Sequence, residues 1–106
     1  SQKFRTVRTE EGTYKLYACA SSGGFNRILG IGRYGTAGLY CNNSTYAGEY
    51  YIRYNDEGNG SWSIISAADS DKALGTKNNR NGASVTLVSP SDERMAQSWS
   101  FEFENA

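Results

Sequence analysis

The sequence repeats itself at an interval of 48 residues, and this limits its folding more than any other feature. Residues 13–21, TYKLYACAS, stack on 61–69, SWSIISAAD, so that Tyr14, Leu16 and Tyr17 meet Trp62, Ile64 and Ile65. Residues 27–30, RILG, stack on 72–75, KALG, at an offset of 45. Residues 35–41, GTAGLYC, return to an offset of 48 over ASVTLVS at 83–89, with Leu39 on Leu87. Residues 49–54, EYYIRY, then meet 97–102, QSWSFE, which sets Tyr51 on Trp99. Carried backwards, the interval lays 4–13 over 52–61. The chain thus opens on the closing strand of one unit and runs through two whole units, 13–54 and 61–103. A unit this short cannot bury its apolar face alone and must pack on its neighbour, so residues 1–106 are expected to form one domain.

Each unit reads as hairpins. Turn residues recur every few positions, at 22–24, 30–35, 42–44, 55–60, 69–71, 78–82 and 90–93. Between them lie segments of β-type composition at 4–8, 14–18, 28–30, 37–40, 50–54, 62–66, 73–76, 84–88 and 98–103. Alternation is clean in the last, with Trp99, Phe101 and Phe103 on one face. Residues 92–97 have room for one short helical turn, and no other segment reads as helix. With twelve Gly, eight Tyr and a single Pro, the expected class is all-β.

The second unit resembles a ricin-B-type β-trefoil repeat. An aromatic-led strand, WSIIS, runs to a KALG strand, then to the NGASVTLV hairpin, and Gln97-Ser98-Trp99 closes the unit as a Q-x-W motif. The resemblance implies a core role for Trp99, Trp62 and Tyr14, and a turn-supporting role for Gln97. It also implies lectin-like function. Sugar-binding relatives place an acid just after the Leu of the second strand, whereas Gly30 and Gly75 stand there in this chain. A whole trefoil has three units and this sequence shows two and a fraction, which leaves assembly with further copies as one way to complete it. Tyr40 to Tyr51, YCNNSTYAGEYY, is in turn similar to the aromatic-x-Gly corner of a βγ-crystallin motif, so a twofold Greek-key sandwich or barrel is the alternative architecture.

Residues 29–35, LGIGRYG, spell the G-x-G-x-x-G of a dinucleotide-binding turn. That turn needs a helix opening within it, but TAGLYCNN follows and stacks on a strand of the other unit. The glycines are therefore read as hairpin positions, and no cofactor is expected. Catalysis is not expected either. The chain has no His, so the commonest general base and metal ligand are missing, and no Ser-x-x-Lys occurs. The acid pairs Glu10/Glu11, Asp56/Glu57, Asp69/Asp71 and Asp92/Glu93 read as solvated turn residues rather than a glycosidase pair. The loop NDEGNG at 55–60 lacks the spacing and distal Glu of a calcium loop, and no metal site is expected.

Eleven basic and eleven acidic residues cancel without runs of like charge, so neither nucleic acid nor an anionic membrane is an expected partner. No stretch approaches the ~20 apolar residues of a membrane span, and no signal-peptide pattern is visible. Cys19 and Cys41 are expected to form one disulfide, in keeping with a composition that leans towards a secreted, extracellular setting. Three sequons, at Asn42, Asn43 and Asn59, would carry glycans in a eukaryotic secreted protein.

A sugar site needs a flat aromatic face beside planar amides. Tyr40, Asn42, Asn43 and Tyr46 supply that set in the first unit, whereas Val88 replaces Tyr40 in the second. The expected function is a small non-enzymatic carbohydrate-binding module whose partner is a glycan or glycoprotein. The alternatives are a protein-binding trefoil such as a protease inhibitor, and a crystallin-like structural protein.

Overall fold

The computed structural model describes residues 4–19, 27–55, 61–77, 84–92 and 96–99. They form an all-β protein of eight strands: β1 (Phe4–Arg8), β2 (Tyr14–Ala18), β3 (Arg27–Ile31), β4 (Ala37–Cys41), β5 (Tyr50–Tyr54), β6 (Trp62–Ser66), β7 (Ala73–Gly75) and β8 (Thr86–Val88). Every pairing is antiparallel and the order is β4-β3-β2-β5-β6-β7-β8, with β1 added to β2. Among the described residues no helix is long and apolar enough to cross a membrane. Of the expected helical turn at 92–97, residues 93–95 lie outside the described residues and Ala96 bridges to Thr76 as β structure; residues 100–103 of the expected last strand and most of the 55–60 and 78–82 loops also lie outside them.

β2 and β6 are built into the sheet in the same way. β2 pairs along its whole length with β1, and its other edge is shared, Tyr14 pairing with Tyr50 and Tyr17 with Ile28. β6 pairs along its whole length with β5, Ile65 pairs with Ala73, and Trp62 bridges to Trp99. The hairpins match as well: Ile28–Tyr40, Leu29–Leu39 and Gly30–Gly38 in one, Ala73–Val88, Leu74–Leu87 and Gly75–Thr86 in the other. The two hairpins also join, because Ala37 N–H donates to the Val85 carbonyl at 2.8 Å and Leu87 N–H to Gly35 at 3.0 Å.

The closing strands correct the sequence register. Trp62 meets Trp99 as Tyr14 meets Tyr50, so Trp99 corresponds to Tyr50 and not to Tyr51. Phe4 pairs with Ala18 where Tyr50 pairs with Ser66, so Phe4 also corresponds to Tyr50 rather than to Ile52. For Phe4 the cause is the length of the turn that follows. Thr9 N–H reaches the Thr13 carbonyl across four positions, and Asn55 N–H reaches Ser61 across six. A shift of one residue turns a strand over, and neighbouring tyrosines conceal it from comparison by residue type. Tyr50 is fully buried, whereas Tyr51 is 44% exposed.

The core follows from this register. Leu16 and Ile64 are repeat partners, as are Leu29 and Leu74, and the buried centre is Leu16, Tyr50, Ile64 and Leu74. Tyr14, Ile52, Leu87 and Trp99 pack around it. β1 forms the margin: all five of its residues are exposed, including Phe4 on the core side of the sheet.

The expected disulfide is absent. Cys19 and Cys41 are both free and exposed. β3 lies between β2 and β4, which holds the neighbouring strand ends two spacings, about 10 Å, apart. That exceeds the ~7 Å between Cα atoms that a disulfide can span.

Candidate functional site

The LGIGRYG stretch is the end of β3 and the turn into β4. Gly35 N–H donates to the Gly32 carbonyl and Gly32 N–H to Thr36, both at 3.0 Å, and Gly35 has φ of 81°, where a Cβ would be strained. The remaining glycines make room for one side chain. A Cβ on Gly32 would lie 2.6 Å from Tyr40 Oη, one on Gly30 2.9 Å from its Cδ2, and one on Gly38 3.3 Å from its Cε2. Gly30, Gly38 and Tyr40 share one face of the hairpin by register, so the Tyr40 ring lies along a glycine strip.

Residues 41–48 fold back over that face. Ser44 N–H donates to the Cys41 carbonyl at 2.9 Å, and the Ser44 hydroxyl accepts from Tyr46 N–H at 3.1 Å. Ile31 N–H then donates to the Tyr46 carbonyl at 3.1 Å and Gly48 N–H to Leu29 at 3.2 Å. This brings the rings of Tyr40 and Tyr46 to 5.4 Å between centroids at an angle of 50°. They bound a concavity of about 370 Å³, completed by Arg33, Tyr34, Thr36, Gly32 and Ala37. Tyr34 stands at the hairpin tip, 88% exposed.

Beneath the hairpin, Tyr50 Oη donates to the Leu29 carbonyl at 3.3 Å. Burial, with a smaller contribution from Tyr40, pushes the Tyr50 hydroxyl well above the ordinary tyrosine range. It stays neutral, and it is a structural donor.

Of the residues singled out from sequence, Tyr40 and Tyr46 come together at the concavity. Asn42 and Asn43 are exposed in the turn after β4 and do not line it. Arg33 and Tyr34 line it but were absent from the expected set. A Tyr and an Arg inside a glycine turn, where neither can be core, was the available signal. Among the described residues the second unit has no equivalent of the tyrosine pair, because Val88 replaces Tyr40 and is buried and Ala96 takes the place of Tyr46 over Gly75. Gln97 Nε2 donates to the carbonyls of Ser89 at 3.1 Å and Asp92 at 3.0 Å, tying down the turn that follows β8.

The missing acid after each Leu has a steric explanation. A Cβ on Gly30 would run into the Tyr46 carbonyl oxygen, and one on Gly75 would lie 2.8 Å from that of Ala96. A carboxylate cannot be placed at either position without moving backbone.

The acid pairs are turn residues where they are described. Asp69 and Asp71 share a hydrogen bond that raises the first carboxyl and lowers the second, and both are open to solvent. Glu10 and Glu11 are exposed in the β1–β2 turn. Among the described residues no three of His, Cys, Asp and Glu gather to hold a metal ion.

No protein-family model matches the chain, and no curated protein or solved structure shows significant similarity to it.

Proposed function

We propose that the chain is a non-catalytic carbohydrate-binding module built from β-trefoil-type units, with its site on the first hairpin. The observation that carries this reading is the Tyr40–Tyr46 pair, held beside Tyr34 around a sugar-sized concavity. The apolar face of a pyranose packs on an aromatic ring, and Thr36 and the tyrosine hydroxyls supply polar contacts at its edge. The glycine strip gives the ring a fixed seat, so little side-chain order is lost on binding. The shallow site implies weak monovalent binding, with Kd on the order of 1 mM. The trefoil reading is supported by the recurrence of one pairing scheme in both units and by a third closing strand, β1. Screening on a glycan array, with Tyr40→Ala as control, tests the function. Binding that Tyr40→Ala abolishes supports the reading, and wild type that retains no glycan overturns it.

A second reading rests on the projecting tip. Tyr and Arg are favoured anchors of protein interfaces, and Arg33-Tyr34 is a short protruding pair of that kind. Inhibition of a panel of proteases by wild type, lost in Tyr34→Ala, would favour a protein target.

A further inference from the structure

Among the described residues, the lining of the concavity holds charge of one sign. Arg33 is the one described lining side chain that is charged at neutral pH, and no described Asp or Glu lines the concavity. Arg33 makes no ion pair with a described residue. This local excess is set in a chain whose charges balance, so it does not reflect overall basicity.

The chemistry available there differs from that of a neutral-sugar site. Recognition of vicinal hydroxyls by an acidic residue needs an acceptor with two oxygens at a fixed position. At the trefoil position for that acid the Tyr46 carbonyl oxygen occupies the space beside Gly30. Guanidinium instead offers five N–H donors in a rigid plane and no acceptor, which suits an anion bound by two parallel hydrogen bonds. Lysine would give a point charge without that geometry.

We infer that the site takes an acidic sugar, a pyranose that packs on Tyr40 and Tyr46 and presents an anionic group to Arg33. The anion is a carboxylate of the uronic-acid type or a sulfate ester, both of which offer two oxygens to the guanidinium fork. This inference rests on the carbohydrate reading above and adds the ligand class to it.

The test is titration of wild type, Arg33→Gln, Arg33→Lys and Tyr40→Ala with three matched oligosaccharides: one uronic-acid-containing, one sulfated and one neutral. Wild type should bind at least one acidic oligosaccharide about tenfold more tightly than the neutral one, as expected for a partly exposed charge-assisted hydrogen-bond pair. The preference should shrink at high salt. Arg33→Gln should reduce acidic binding to the neutral level, Arg33→Lys should fall between, and Tyr40→Ala should weaken all three ligands. The acidic ligand that wild type prefers identifies carboxylate or sulfate as the anion. Equal wild-type affinity for neutral and acidic ligands, or an acidic preference that survives in Arg33→Gln, overturns the inference and leaves the carbohydrate reading standing. Wild type that binds none of the three overturns both.

Discussion

Tyr50 and Trp99 close their units with the same hydrogen bond. The Tyr50 hydroxyl donates to the Leu29 carbonyl at 3.3 Å, and the Trp99 indole N–H donates to the Leu74 carbonyl at 3.1 Å. Leu29 and Leu74 are repeat partners on β3 and β7. At this position an aromatic body fills the core while its polar tip satisfies a strand carbonyl, which an aliphatic side chain cannot do. Phe4 is the third residue at that position, with an apolar ring and 41% exposure.

Substitutions at the three equivalent positions should therefore separate by environment. Tyr50→Ala and Trp99→Ala should each cost about 3–5 kcal/mol, whereas Tyr50→Phe should cost about 1 kcal/mol through the lost hydrogen bond. Phe4→Ser should change stability by under about 1 kcal/mol, because Phe4 is not enclosed. Urea unfolding of the four variants decides this, and a Phe4→Ser cost matching that of Tyr50→Ala would contradict the exposed margin at β1.

Alkaline stability should depend on Tyr50. Its folded pKa lies above the unfolded value of about 10, so its contribution is complete below pH ~10 and is lost as pH rises beyond that point. Above pH ~10 the unfolded chain releases a proton that the folded chain keeps. Stability should then fall by up to about 1.4 kcal/mol per pH unit from this group. Tyr50→Phe should remove that slope. Equal alkaline slopes in the two proteins would show that Tyr50 ionises while folded.

The glycines of the turn should divide into two kinds. Gly30→Ala forces the backbone at Tyr46 to move and should destabilise by about 2 kcal/mol or more. Gly32→Ala crowds only the Tyr40 hydroxyl, at the far end of a side chain, and meets the Thr36 carbonyl at an ordinary 3.6 Å, so it should cost under about 1 kcal/mol. It should nevertheless displace the ring and weaken glycan binding. Thermal melts read the first effect, and glycan titration with Tyr40 fluorescence or chemical shifts reads the second. A Gly32→Ala protein that binds normally would mean that the ring has no fixed seat.

Both thiols should be reactive in the native state. Cys19 and Cys41 are exposed and unpaired, so a thiol reagent should modify two groups per chain without denaturant. The melting temperature should be the same with and without reductant. Modification that requires unfolding, or a melt that drops under reductant, would point to a bridge.

The all-β class and the positions of the first strands of each unit were legible because they depend on local facts. Tyr14–Ala18 and Trp62–Ser66 carry their apolar residues and flanking turn residues within a few positions, and both strands form where their composition places them. The offsets of 48 and 45 recur in the pairings Tyr17–Ile28 and Ile65–Ala73, because the chain between the paired residues is three residues shorter from β6 to β7 than from β2 to β3. The closing strands were not readable to one residue. Tyr50 and Tyr51 are the same residue type, and only the hydrogen-bonded partner across the sheet says which one faces inwards.

The candidate site divides in the same way. Residue types alone determined that this chain would be β-rich, repeated, without histidine chemistry, and aromatic in the first unit at Tyr40. Tertiary structure decided that Tyr40 pairs with Tyr46 and lies over the glycines of LGIGRYG, and that Arg33 and Tyr34 line the concavity while Asn42 and Asn43 do not. It also kept Cys19 and Cys41 apart. Composition and periodicity act between neighbours along the chain. Ring packing, backbone approach and thiol distance depend on which strands lie side by side, and that is set by closure of the whole sheet.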